Sequence, residues 1–314
     1  VMIQPDAMRA HLEEVELLLR RPPTHCRVKE ALFALRRAYP EQCRVFSIGR
    51  SVLGRELYAA AVGDTRGATL LMGGTHGLEW LTCLLMLRFL DDLLYSIAQN
   101  ERLAEIDVKK SMETRGVIIL PALNPDGIEI ALRGSAGAGS MGERVQEICC
   151  GNYRLWQANA RGVDLNHNFD AGWETLHKME EEAGITGPAP TRYGGPRPES
   201  EPETRAITAF CREFAVRQAY AYHSQGEEIY YKYGEHTPTR SRLMAQLLAT
   251  SSGYRLMSPE GLASHGGFKD WFIDKLRRPA FTIEIGKGKN PLPLCDLEPV
   301  YGRLREMMML SLLL

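Results

Sequence analysis

The chain has 314 residues, 44% of them hydrophobic, enough for one large domain or two small ones with a deep core and an enclosed site. Its 38 basic and 39 acidic side chains leave a formal charge of -1, which excludes a broad electrostatic drive toward nucleic acid or an anionic membrane; neither is expected as a partner. Seven cysteines, an odd number without metal-knuckle spacing, argue for free thiols rather than a disulfide framework, and hence for a cytoplasmic setting.

The N-terminal stretch VMIQPDAMRAHLEEVELLLRRPP carries charge within its apolar residues and lacks a small-residue cleavage site. It reads as an amphipathic helix, part of a helical segment over about residues 5–40, rather than a secretory signal. Four short apolar runs are bounded by breakers and predict buried strands: ATLLMGG (68–74), RGVIILPALNP (115–125), RQAYAYHSQG (217–226) and RPAFTIEIG (278–286). Between them, 79–100, 200–216 and 239–253 predict helices, the second with Ser200 as N-cap and Pro202 in its first turn. The Gly-rich stretch 133–152 and the polar stretch 174–198 read as long functional or mobile loops. The C-terminal LREMMMLSLLL is too short to cross a bilayer and predicts a docked helix over about 297–314. The alternation predicts an α/β sheet covered on both faces, and the lack of a repeat or clear linker predicts a single domain over 1–314.

Chemistry concentrates where the apolar runs end. GGTHGLEW (73–80) places His76 and Glu79 after the first run, YAYHSQG places His223 near the end of the third, and FTIEIGKG places Glu284 inside the fourth. In open α/β sheets the carboxyl edge of the strands is where ligands bind. Taken alone, His76 and Glu79 could be a packed histidine and an acid at a helix N-terminus, and Glu284 could be a buried ion-pair partner of Arg277 or Arg278. Together, two imidazoles and a carboxylate form the kind of three-ligand set that catalytic zinc uses, and Glu284 becomes the spare carboxylate that takes a proton from water.

The pieces occur in a definite order: H-x-x-E as His76 and Glu79, NPDG at 124–127, GVDLNHN at 162–168, His223, KDW at 269–271 and Glu284. Over about residues 45–290 the chain thereby resembles the zinc carboxypeptidase family typified by carboxypeptidase A. The resemblance implies a mixed, mostly parallel eight-stranded sheet flanked by helices on both faces, and one zinc ion per chain on His76, Glu79 and His223. It makes Glu284 the catalytic base and implies small peptide substrates. HSQGEEIYY (223–231) and IEIGKGKNPLP (283–293) are similar to the bacterial branch that cleaves γ-D-glutamyl-diaminopimelate bonds of peptidoglycan fragments. The expected function is therefore zinc-dependent hydrolysis of that amide in small muropeptides. A general metallocarboxypeptidase and an N-acyl amino acid deacylase are alternatives, and a lapsed zinc- or peptide-binding protein is one of another class.

Three positions depart from the family. His167 stands where an arginine, with the asparagine matching Asn166, grips the substrate carboxylate; Gln157 replaces a carbonyl-polarising arginine and Leu262 a mobile tyrosine. Arg161 or His265 are candidate substitutes for the polarising group. A fourth metal ligand at residue 167 would close the water position, and Glu284 already fills the role of base. That leaves an inert loop histidine or, as the preferred reading, a weakened or pH-tuned carboxylate contact. Lys269 falls where the family sets side-chain preference and is expected to attract a substrate carboxylate, the alternative being a solvated surface lysine.

Overall fold

The four apolar runs become the centre of one sheet, because only a strand buried on both faces can use so continuous an apolar sequence. The computed structural model describes residues 13–314. Its main sheet has eight strands: β1 (Cys43–Arg50), β2 (Glu56–Val62), β3 (Thr69–Met72), β4 (Val117–Leu120), β5 (Gln218–His223), β6 (Glu228–Tyr230), β7 (Arg255–Met257) and β8 (Ala280–Glu284). Their order is β1-β2-β4-β3-β5-β8-β6-β7. The pairs β4-β3, β3-β5, β5-β8 and β6-β7 are parallel, whereas β1-β2, β2-β4 and β8-β6 are antiparallel. This is the mixed, mostly parallel architecture that the resemblance implied.

The helices of nine or more residues are α1 (His25–Ala38), α2 (Leu81–Gln99), α3 (Pro125–Arg133), α4 (Trp173–Glu182), α5 (Pro202–Glu213), α6 (Arg240–Ser252), α7 (Phe268–Leu276) and α8 (Leu297–Leu313). They cover both faces, and the two-residue period of the strands sorts the core accordingly. Leu71, Ile119, Tyr220 and Phe281 pack with Leu35, Phe89, Leu304 and Met308 on one side. Leu70, Ile118, Ala219 and Ala280 pack with Ile207, Phe210 and Phe272 on the other. No helix among the described residues is long and apolar enough to cross a membrane. All seven cysteines are free thiols, as their odd number suggested.

Several local expectations need correction. Helix α5 begins at Pro202 with Glu201 at its cap position, and Ser200 instead donates its hydroxyl to Glu201 Oε1 and accepts from Asn168 Nδ2. The Gly-rich stretch is largely helical: Gly134–Met141 forms 3-10 turns and Gly142–Cys149 an α-helix, packed over a small core of Ile130, Val145 and Trp156. The polar stretch opens with α4 before becoming loop. The N-terminal helical segment divides: residues 13–19 are helical, a break precedes α1, and the start of the expected helix lies outside the described residues.

Candidate metal centre and cleft

Strand order places the key side chains before any detail of their contacts is considered. Strands β3 and β5 are parallel neighbours, Met72 opposite Ala221, so the turn carrying His76 and the strand-end His223 emerge at the same sheet edge. On the other side of β5, the register sets Glu284 opposite His223. Residues far apart in sequence thus converge where the parallel strands end.

His76 Nδ1 lies 2.8 Å from Glu79 Oε1, and His223 Nδ1 lies 3.0 Å from Glu79 Oε2. The two Nδ1 atoms are 3.3 Å apart. One ligand atom from each of His76, Glu79 and His223 lies within 4.8 Å of the others, a grouping that could hold a metal ion. The distal nitrogen of His76, Nε2, is 3.1 Å from Asp164 Oδ1. When that nitrogen carries the proton toward Asp164, the Nδ1 lone pair faces inward, as a metal ligand requires. Two imidazole lone pairs and a carboxylate then crowd one point, and a divalent cation relieves their repulsion. The donor set suits zinc.

Considered by themselves, these side chains shift one another's titration. Burial opposes an imidazolium at His76, but the carboxylates of Glu79 and Asp164 outweigh it and raise its pKa well above the usual value. For Glu79, burial favours the neutral acid, and the two imidazoles overcome this and hold the carboxyl below its ordinary range. Asp164 behaves likewise, with His76 and then His167 overcoming burial. Glu284 differs: burial and the nearby charge of Glu79 push its pKa well above normal. The charges that act on it are those of Glu79, His76 and Glu228, not of Arg277 or Arg278, and the Arg278 guanidinium donates to the carbonyl of Val216.

These groups line a cleft of about 500 Å³ that also includes Gln157, Asn166, His167, Arg192, Leu262, His265 and Lys269. Every expected site residue except the buried His223 therefore borders it, and His223 backs it through Glu79. Asn166 accepts from the backbone N–H of Phe268. Lys269 is not a solvated lysine: it is 5% exposed, its Nζ donates to the Lys232 carbonyl at 3.1 Å, and it pairs with Asp270. His167 is also largely buried, with Nδ1 2.8 Å from Oε1 of the fully buried Glu180, whose Oε2 accepts from Gly194 N–H. This leaves Nε2 as the imidazole's other polar atom.

Of the two candidate substitutes for the polarising arginine, Arg161 is half-exposed and turned toward Glu201, outside the lining, whereas His265 borders the cleft beside the Tyr233 hydroxyl. Asp164, Glu180 and Arg192 were not singled out from sequence. Asp164 stood inside GVDLNHN, where its repeated use as an acceptor carried no local signal. Glu180 was hidden in the charged run MEEE, and Arg192 in a loop.

Residues 28–306 match the family model described as zinc carboxypeptidase. The gamma-D-glutamyl-L-diamino acid endopeptidase 1 of Lysinibacillus sphaericus is 30% identical over 256 residues, covering 81% of this chain and 63% of that protein. Carboxypeptidase B of Rattus norvegicus is 27% identical over 256 residues, 76% of this chain and 57% of that one. The chain thus spans somewhat less than two thirds of the length of these two relatives. Among solved structures, bovine thrombin-activatable fibrinolysis inhibitor, in complex with tick carboxypeptidase inhibitor, shares the fold with a TM-score of 0.73 at 22% identity, over 93% of this chain and 97% of that one. With its motifs in order on a matching fold, the chain belongs to the zinc carboxypeptidase family.

Proposed function

We propose that the protein is a zinc-dependent peptidase that hydrolyses the γ-D-glutamyl-diaminopimelate amide of small peptidoglycan-derived peptides. The observation that carries the hydrolase reading is the convergence of His76, Glu79 and His223 at one point of a cleft that Glu284 also lines. Zinc at that point supplies Lewis acidity for water and for the scissile carbonyl oxygen. Glu284 takes the proton from the attacking water and delivers it to the departing amine, a role that suits a carboxyl whose pKa is raised by burial. His76 is kept in the ligand tautomer by Asp164.

The substrate reading draws on the Lysinibacillus relative and on the cleft's chemistry. Asn166, His167 and Lys269 form a polar side suited to the carboxylates of a diamino-acid residue, with Lys269 partly committed to Asp270. A general metallocarboxypeptidase acting on ordinary peptides is the second reading, favoured by the likeness to carboxypeptidase B; the histidine at position 167 weighs against it, because a single ring nitrogen replaces a two-pronged cation.

The experiment is metal analysis combined with hydrolysis of L-Ala-γ-D-Glu-diaminopimelate, with Glu284→Gln as the control. Stoichiometric zinc and amide cleavage that Glu284→Gln abolishes are expected. Bound zinc with no turnover of this or any acyl-amino acid substrate sinks the enzymatic reading.

A further inference from the structure

We infer that Arg192 is a specificity residue that reads a carboxylate on the acyl side of the scissile amide. The inference deepens the proposed function and rests on it. Arg192 lines the same cleft as His76, Glu79 and Gln157. Its backbone has a φ of 67°, unusual for a residue with a side chain, and its N–H donates to Asp164 Oδ2 at 2.9 Å. The other oxygen of Asp164 holds His76, and the Asp164 N–H donates to the carbonyl of Tyr193, the next residue. Arg192 is therefore anchored one carboxylate away from the proposed metal ligands. The backbone is fixed while the side chain is not: its guanidinium has no hydrogen bond or ion pair with another described residue, whereas Arg55 and Arg161 are paired with Asp126 and Glu201.

The local charge shows what such a group is for. The carboxylates of Glu79 and Asp164 are taken up by His76 and His223, so a further carboxylate carried by a substrate needs a cation of its own. Gln157, where the family has an arginine, is neutral, and its Oε1 accepts from the hydroxyl of Thr191, next to Arg192. His167 is paired with Glu180 and Lys269 with Asp270, leaving Arg192 as the unpaired cation of the lining, next to the residue that holds Gln157. A γ-linked glutamyl residue bears a free α-carboxylate on the acyl side of the bond to be cut, unlike an ordinary α-peptide. A guanidinium fork matches that group with two parallel hydrogen bonds.

The test measures kcat/KM for the zinc-loaded wild type and Arg192→Gln on two peptides differing at one group: L-Ala-γ-D-Glu-diaminopimelate, and its isoglutaminyl counterpart with a neutral carboxamide in place of the acyl-side carboxylate. The wild type is expected to favour the acid about tenfold, Arg192→Gln to bring the ratio close to one, and Arg192→Lys to recover part of it. Zinc content and thermal midpoint are expected to stay at wild-type values. Calorimetric binding of L-Ala-D-Glu, the acyl product, should weaken about tenfold in Arg192→Gln, giving the comparison without turnover. A wild type indifferent to the exchange, or a preference that survives Arg192→Gln, overturns the inference while leaving γ-glutamyl cleavage standing. Turnover of neither peptide beside cleavage of ordinary acyl-amino acids overturns the γ-glutamyl reading instead. Arg192 is then judged on N-glutaryl against N-pentanoyl amino acids, where a ratio lowered by Arg192→Gln supports it and an unchanged ratio overturns it.

Discussion

Asp164 Oδ1 lies 3.1 Å from His76 Nε2, on the side of the imidazole away from Glu79. That contact sets which ring nitrogen keeps its proton and raises the basicity of the other, so the residue should govern zinc affinity without touching the ion. Asp164→Asn is expected to weaken zinc binding about 10- to 100-fold, read by competition with a chelator. Unchanged affinity in a folded variant would show that the contact has no bearing on the metal.

The central strands and the three proposed ligands were legible because burial on two faces leaves an uninterrupted apolar run, and functional residues sit where such runs stop. The outer strands were not. β7 (Arg255–Met257) is exposed along its length and β6 spans three residues, so neither has a pattern that distinguishes it from loop. The helix Gly142–Cys149 was obscured by the glycines before it, although its Val145 and Cys149 are buried four residues apart. The residues behind the cleft were illegible for another reason: Asp164 and Glu180 act on partners 88 and 13 positions away, and no local periodicity records such a pairing.

Glu180 gives position 167 a defined chemistry. A fully buried carboxylate at Nδ1 fixes the orientation of the imidazole and leaves Nε2 as the atom that can meet a substrate carboxylate. Glu180→Gln should therefore raise KM several-fold for substrates with a free terminal carboxylate while changing kcat less. His167→Arg should lower KM for the same substrates, since a fork replaces a single donor. An unchanged or higher KM in a folded His167→Arg protein would refute the carboxylate contact.

The buried pair of Lys269 and Asp270 makes a simple charge deletion ambiguous. Burial raises the Asp270 carboxyl, with Lys269 opposing, so removing the ammonium leaves an unpaired acid and costs on the order of a few kcal/mol of stability. Lys269→Met combined with Asp270→Asn, which keeps the packed stem and leaves no unpaired acid, is the informative variant. If Lys269 attracts the diaminopimelate carboxylate, the kcat/KM ratio of a diaminopimelate peptide to its lysine analogue should fall several-fold in thermally stable protein. Equal losses on both substrates would confine the residue to a structural role.

A pH dependence of stability follows from Glu203, far from the metal ligands in sequence. Its carboxylate accepts from the Val52 N–H and is fully buried; burial is the main cause that pushes its pKa up to about 8. The folded chain thus holds a proton that the unfolded chain releases near the ordinary carboxylate range of about 4. Stability from this group is complete below that range and is lost as pH rises toward about 8. Thermal midpoints should accordingly decline between pH 5 and pH 8.5 on account of this site, and Glu203→Gln should flatten that decline. Parallel curves for the two proteins would rule the assignment out.

The NPDG turn makes a prediction about the metal through packing alone. Asn124 Nδ2 donates to the carbonyls of Thr75, Gln157 and Ala158, tying the residue before His76 to the opposite cleft wall. Gly77 and Gly127 meet where this turn is seated: a Cβ at Gly77 would lie 2.3 Å from the Gly127 carbonyl oxygen, and one at Gly127 would lie 2.4 Å from that of Ala158. Backbone is the obstacle at Gly77, and at Gly127 the added methyl also meets the Asn124 amide at 2.4 Å, so it displaces the group that ties down the turn carrying His76 and Glu79. Gly127→Ala should therefore lower zinc affinity and kcat/KM together by about tenfold or more, because a ligand moved by a fraction of an ångström loses both coordination and alignment with Glu284. Asn124→Ala should do the same by removing the tie without adding bulk. Chelator competition and circular dichroism on the two variants separate this from unfolding: a native spectrum with full zinc affinity in both would mean that the turn holds its place without the NPDG contacts.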